Sequence, residues 1–273
     1  MAAHNRRDTT LACLDSLAAQ DGEGAAVRVV VLDDASTDGT GEEVARRHPG
    51  ALLLHGDGSL FWNGGMRRAL EAAHAEDHDA YLLLNDDVVL DTQALRVLLD
   101  AHAALGPTAI VAGAVRDPVT GATTYGAVRR TSPLRPLDFT LLEPTGVPRL
   151  ADTMHANCTL VPRQVARRVG NLDAAFRHAM GDFDYGLRAR RAGCTVWLAP
   201  GTVGTCPENP PVSYGERPLP AEWQRLTGIK GLPPAEWRTF ARRWAGPAWP
   251  LYWASPYLRG GVRMLASRVA RRG

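Results

Sequence analysis

Apolar residues along the chain follow two rhythms. In "VRVVVLDD" (27–34), "ALLLHG" (51–56), "AYLLLNDDV" (80–88) and "AIVAGAVRD" (109–117) they are nearly continuous. Such runs suit strands buried on both faces. Between them, apolar positions recur every three or four residues, the spacing of one helix face. This spacing predicts helices over Arg6–Gln20, Gly41–Arg47, about Met66–Ala75 and Leu95–Leu105, the first with Asp8 as its N-cap and Leu11, Leu14 and Leu17 on one side. "MAAHN" reads as the end of a strand whose apolar first half is missing, which leaves either a start assigned too late or a short central strand. Farther along, "HANCTLVPR" (155–163) and "TVWLAPG" (195–201) read as strands, with a helix from near Arg163 and another from near Phe183. Alternating strands and helices predict an α/β fold, a mostly parallel Rossmann-like sheet covered on both sides.

In such sheets ligands collect at the carboxyl ends of the strands. The polar residues His4-Asn5, Asp33-Asp34 and Asn85-Asp86-Asp87 stand at those ends. In "VVVLDDASTDGT" the acids have an ordinary reading, a βα turn in which Asp34 or Ser36 caps the next helix, and a functional one, a carboxylate bonded to a nucleobase or ribose. In "LLLNDDV" the adjacent carboxylates repel, a cost that a cation relieves. A hard divalent cation is held in this way, by one or two carboxylates plus substrate phosphates. "GDGSLFWNGGMRRAL" reads either as a loop and helix start with Trp62 in the core, or as a phosphate site. In the second reading Gly64 and Gly65 expose their amides, and Arg67 and Arg68 add charge. A dinucleotide-binding reading fails because no GxGxxG follows the first strand.

"GDFDYGLRARRAG" (181–193) places Asp182 and Asp184 before an arginine-rich helix. They are either an N-cap and a first-turn acid, or one of them is a general base. Arg188, one turn beyond Asp184, is positioned to pair with it and leave Asp182 free.

Composition narrows the partners. The chain carries 31 basic and 29 acidic residues; eight arginines and no acid lie from Trp237 onward, leaving 23 basic against 29 acidic before it. An acidic body thus carries a cationic tail, which also holds four of the seven tryptophans. The tail (237–273) reads as a structural arm or as an anchor on an anionic membrane surface, and it lacks any nucleic-acid-binding motif. The four cysteines form no CxxC pair, and no apolar run reaches the roughly 20 residues of a bilayer span. A reduced cytoplasmic protein, peripheral at most to the inner face of the membrane, is the expectation.

In order, "AAHNR", "VVVLDDASTDGT", "LLLNDDV" and "GDFDYGLRARRAG" resemble the family 2 inverting glycosyltransferases, which have the GT-A fold, over about residues 1–205. "LFWNGGMRRAL" and "NCTLVPR" are most similar to the rhamnosyltransferase-like branch. The resemblance implies a catalytic domain over 1–205, with a nucleotide-sugar half to about 110 and an acceptor half from 111, and a C-terminal extension over 206–273. It implies a nucleotide-diphospho-sugar donor, a saccharide or lipid-linked acceptor, and Mg²⁺ or Mn²⁺. Carried over by position, Asp34 and His4 with Asn5 meet the nucleobase, Asp86 the ribose and Asp87 the metal. Asp182 becomes the catalytic base, with Asn157, Asp184 and Arg188 on the acceptor side. Two positions depart from the pattern: Asn85 replaces the first acid, and Gly181 replaces the glutamate before the base. A nucleotidyltransferase or a non-catalytic sugar-nucleotide-binding protein is the alternative. The first would call for a glycine- and basic-rich phosphate loop where "HNRRDTTLACL" stands.

Overall fold

Aliphatic runs become strands here because β-branched residues pack well on a pleated surface, while the helices between them bury one stripe each. A computed structural model of the chain describes residues 1–21, 24–209 and 217–270, with side chains as far as Arg268. Arg271 and Arg272 of the cationic tail lie outside the described residues. The chain forms two compact units: 1–129, 140–177 and 181–208 make the first, and 130–139, 178–180 and 209–273 the second.

The first unit opens with β1 (Ala2–Ala3), α1 (Arg7–Ala18), β2 (Val30–Asp33), α2 (Thr40–Arg47), β3 (Leu52–His55) and α3 (Phe61–His74). The three strands run parallel in the order β1-β2-β3, with Ala3 opposite Asp33 and Asp33 opposite His55. Asp8 does not cap α1. The amide of Arg7 is held by Asp38, which also accepts the amide of Thr40, so one carboxylate starts both α1 and α2. Helix α3 begins five residues earlier than its apolar spacing predicts, because Asp34 accepts the amides of Leu60 and Phe61.

β4 (Ala80–Leu84), β5 (Val89–Leu90), α4 (Ala94–Leu105), β6 (Ala109–Arg116), β7 (Thr123–Tyr125), β8 (Ala127–Ser132), β9 (Arg135–Leu141), β10 (Arg149–Ala151), β11 (Thr153–Met154) and β12 (Cys158–Pro162) follow. The chain then continues through α5 (Arg163–Val169), α6 (Gly181–Arg191) and β13 (Thr195–Thr205); the end of β8 and β9 as far as Phe139 belong to the second unit. The larger sheet has the order β10-β13-β6-β12-β4, in which β6 and β13 are parallel while β12 runs antiparallel to both β4 and β6. The α/β class is therefore as expected and its sheets are mixed. An antiparallel strand wedged between two others brings the start of β12 beside the end of β4, with Cys158 opposite Leu84. That register places "HAN" against "NDD".

In the second unit, α7 (Leu219–Thr227), α8 (Pro234–Trp244) and α9 (Trp249–Ala270) pack around Phe240, Ala241, Trp244 and Met264, all buried. The polar tips of its aromatics are used internally. Trp237 Nε1 donates to the Tyr252 carbonyl, Trp253 Nε1 to Pro234, Tyr257 Oη to Leu232 and Tyr252 Oη to Leu134. These rings staple the helices together and do not stand free at the surface. Among the described residues, no helix is long and apolar enough to cross a membrane.

Candidate active site

Each expected residue has a definite place in the first unit. At the end of β1, the His4 Nδ1 lies 2.6 Å from the Asp34 carbonyl. A carbonyl only accepts, so Nδ1 carries the proton and Nε2 accepts from Asn5 Nδ2 at 3.2 Å. Asn5 Oδ1 in turn accepts the amide of Thr37 at 2.7 Å, and the Asn5 amide donates to Ser36 Oγ. The corner is thereby tied to the turn after β2. In that turn Asp33 accepts the amide of Ser36. Asp34 Oδ1 accepts from Gly58 and its Oδ2 from Leu60 and Phe61, at 2.9 to 3.1 Å. The buried Asp34 carboxylate thus organises the loop from 56 to 61 and the start of α3.

The amides that would cradle a phosphate at that helix start are already used. Those of Leu60 and Phe61 bond Asp34, and those of Asn63 and Gly64 bond the Arg177 carbonyl. The structure gives Gly65 a packing role: a Cβ there would sit 2.7 Å from the Ala2 Cβ and 3.0 Å from Leu32 Cδ2, so its absence lets α3 lie directly on β1 and β2. Arg67 and Arg68 follow on α3, Arg68 exposed.

At the end of β4, Asn85 Oδ1 accepts from Trp62 Nε1 at 2.7 Å, which gives Trp62 a definite task in the acidic corner. The next two residues are joined by a side chain that sequence reasoning passed over. Arg6 Nη1 donates to Asp86 Oδ1 at 3.1 Å and to Asp87 Oδ2 at 2.7 Å. Asp86 is buried and Asp87 is one-quarter exposed. Burial, with repulsion from Asp87, pushes the Asp86 carboxyl up to about 6 against the pull of Arg6. The pair is a cation seat, and Arg6 is the cation in it. Asp87 Oδ1 also accepts from Cys206 Sγ at 3.5 Å.

Asp182 lies inside the first turn of α6 and is not an N-cap. Its Oδ1 accepts the amide of Phe183 at 2.8 Å and its Oδ2 that of Ala156 at 3.3 Å. Burial raises its carboxyl above the ordinary range, and neighbouring His155 opposes this. His155 is itself held by the Gly126 carbonyl, edge-on to Tyr125 and Phe183, and burial lowers its imidazole. Asp184 is fully buried and pairs with Arg188 Nε at 2.8 Å; Arg188 then donates to the carbonyls of Val169 and Asn171. This cluster locks α6 in place.

The connection before β12 joins the two acidic regions. Ala156 bonds Asp182. Asn157, the next residue, accepts the Asn85 amide on its carbonyl at 2.9 Å and reaches the Asp87 side through Cys206, with Nδ2 3.7 Å from Sγ. Two neighbouring residues therefore tie the start of α6 to the end of β4: Ala156 bonds Asp182, and Asn157 bonds Asn85.

Gly181 also has a physical reason. A Cβ there would lie 1.8 Å from Asn63 Oδ1 and 2.6 Å from its Cγ. Asn63 is fully buried and anchored by Nδ2 to the carbonyls of Asp173 and Phe176. It fills the space that a side chain at 181 would need.

Comparison with known proteins gives the family and the fold. The model of the family described as Glycosyl transferase family 2 matches residues 1–170. The chain belongs to that family. It is 25% identical over 200 residues to an N-acetylglucosaminyl-diphospho-decaprenol L-rhamnosyltransferase of Mycobacterium tuberculosis, in strains CDC 1551 / Oshkosh and H37Rv, over 63% of this chain and 63% of the relative. The match thus spans less than two thirds of those relatives' length. Among solved structures, the fold is similar to that of a mannosyltransferase from Pyrobaculum calidifontis in complex with GDP-Man and Mn²⁺. The TM-score is 0.55 at 20% identity, over 98% of this chain and 72% of that one. It is also similar to GalNAc-T7 with UDP, GalNAc and Mn²⁺, with a TM-score of 0.59 at 14% identity, over 83% of this chain and 47% of that one. The fold class is GT-A.

Proposed function

We propose that this chain is an inverting glycosyltransferase that moves a sugar from a nucleotide-diphospho-sugar to a hydroxyl of a saccharide or lipid-linked acceptor, in the synthesis of a cell-surface polysaccharide or glycoconjugate. The observation that carries this reading is the stretch Ala156–Asn157, which bonds Asp182 on one side and the acidic corner at Asn85–Asp87 on the other. Similarity to a rhamnosyltransferase named for an N-acetylglucosaminyl-diphospho-decaprenol substrate supports a lipid-linked acceptor, and for such an acceptor we place the chain at the inner face of the membrane.

In this reading His4, Asn5 and Asp34 form the nucleobase side, Asp86 meets the ribose, and Arg67 with Arg68 faces the diphosphate. Asp87 would hold Mg²⁺ or Mn²⁺. The donor set suits such an ion: the corner offers hard carboxylate oxygens already bridging one cation, Arg6. Among the described residues no group of three or more His, Cys, Asp or Glu is placed to hold a metal; an ion held by Asp87 would need further oxygen ligands of the kind that substrate phosphates and water supply. When bound, the ion neutralises charge on the departing diphosphate.

Asp182 takes the proton from the acceptor hydroxyl. As the acceptor oxygen bonds the anomeric carbon, the bond from that carbon to the phosphate oxygen breaks; the nucleoside diphosphate leaves and the configuration inverts. A carboxyl raised by burial is a stronger base once ionised, which suits this step. Asn157, Asp184 and Arg188 support the acceptor side by holding α6 and the 156–157 connection. Asp182→Asn is expected to abolish transfer while donor binding, read as a thermal shift with sugar nucleotides and Mn²⁺, persists. Turnover near the wild-type rate in that variant would remove Asp182 from the role.

A further inference from the structure

Four large aliphatic side chains on α9 are exposed: Leu251 at 74%, Leu258 at 68%, Val262 at 66% and Leu265 at 59%. Their spacings of seven, four and three residues place them in one stripe. At the helical rise the stripe is about 21 Å long. The other side of α9 is the packed one, where Gly260 and Met264 are buried and Trp253 and Tyr257 bond Pro234 and Leu232. The stripe is therefore left over after the unit has formed its own core. Leu134, 82% exposed, extends it at one end, since its carbonyl accepts from Tyr252 Oη, the neighbour of Leu251.

Charge indicates what covers this face. Arg259 and Arg263 are exposed on the rows beside the stripe, and no acid occurs from Trp237 to the end of the chain. A second copy of α9 would set arginines against arginines with no carboxylate between them. An anionic bilayer offers both things the face lacks: an apolar interior for the leucines and phosphate for the flanking guanidinium groups. A bilayer also needs no groove, and an open stripe supplies none. We infer that α9 lies in the headgroup region of an anionic membrane, Leu251, Leu258, Val262 and Leu265 inward and Arg259 and Arg263 on lipid phosphates. This deepens the placement at the membrane proposed above while standing on α9 alone. The aromatic rings do not form the anchor, because Trp237, Tyr252, Trp253 and Tyr257 are half-buried with their polar tips bonded to backbone carbonyls of the same unit.

Co-sedimentation of the full chain with vesicles tests this. Wild type is expected to bind vesicles of equal parts phosphatidylcholine and phosphatidylglycerol, and not pure phosphatidylcholine. Leu258→Glu with Leu265→Glu removes two buried anchors and adds two repelled charges, and lowers binding by more than about 30-fold. Arg259→Gln with Arg263→Gln lowers it by about 30-fold. Equal binding by wild type and the leucine variant overturns the inference, as does equal binding to both vesicle types. If the leucine variant instead converts a dimer to a monomer in light scattering, the face is a self-interface and the inference falls. Turnover with a water-soluble acceptor separates the two readings: lost vesicle binding with intact turnover leaves the enzyme proposal standing.

Discussion

Adding a methyl group at Gly181 tests the link between Asn63 and the start of the helix that carries Asp182. In Gly181→Ala the new Cβ meets Asn63 Oδ1 at 1.8 Å, well inside van der Waals contact. Asn63 can retreat only by giving up its bonds to the carbonyls of Asp173 (3.0 Å) and Phe176 (2.6 Å). Overpacking costs about 1–3 kcal/mol and each lost bond about 0.5–1.5 kcal/mol, so about 3 kcal/mol of destabilisation is expected. Asn63→Ala alone loses the same bonds without the clash, about 1–3 kcal/mol. In that background the clash is gone, and Ala in place of helical Gly adds about 0.5–1 kcal/mol. Gly181→Ala thus changes sign between the two backgrounds, a coupling of about 3.5–4 kcal/mol measurable by urea unfolding of the four proteins. Additive effects within about 0.5 kcal/mol would refute the steric account of why glycine stands at position 181.

Four further outcomes follow from the same geometry. Arg6→Met empties the seat between Asp86 and Asp87, so Mn²⁺ binding followed by electron paramagnetic resonance without donor tightens several-fold; unchanged affinity would place the ion elsewhere. With Asp182 as the proposed base, active only when ionised, and its carboxyl raised by burial, log(kcat/KM) is expected to climb with pH to a midpoint above the ordinary 3.8, and a midpoint at or below 3.8 contradicts this. Asp86 has the opposite effect on stability. Its folded carboxyl, at about 6, binds a proton more readily than the unfolded 3.8. Its contribution to the metal-free chain is therefore complete below 3.8 and lost as pH rises through 6, a trend that Asp86→Asn should flatten. Arg188→Met deprives fully buried Asp184 of its ion-pair partner and should cost about 3–5 kcal/mol in urea unfolding, against about 1 kcal/mol were the pair solvated.

Much of the site was legible because its residues stand at strand ends, and strand ends are visible as the points where aliphatic runs stop. That is how Asp33, Asp34, Asp86 and Asp87 were found, and why the Asp184–Arg188 spacing was noticed one turn apart. Arg6, Trp62, Asn63, His155 and Cys206 were not assigned. Each acts through a partner at least 18 residues away, as Arg6 does on Asp87 and Trp62 on Asn85. No local pattern encodes such a distance. The start of α3 was misplaced for the same reason, since its cap is Asp34, in the turn after β2.

The sequence by itself determined the α/β class, the acids at the strand ends and the cationic, acid-free tail, because periodicity and charge are properties of neighbours in the chain. Only the tertiary structure decided that β12 runs antiparallel beside β4, which lets Ala156 bond Asp182 while Asn157 bonds Asn85. It alone decided that the tail's aromatics turn inward while four aliphatic side chains of α9 face out. The physical reason is that hydrogen-bond register and packing choose among surfaces which the linear pattern leaves equivalent, and those choices are made between residues far apart in the chain.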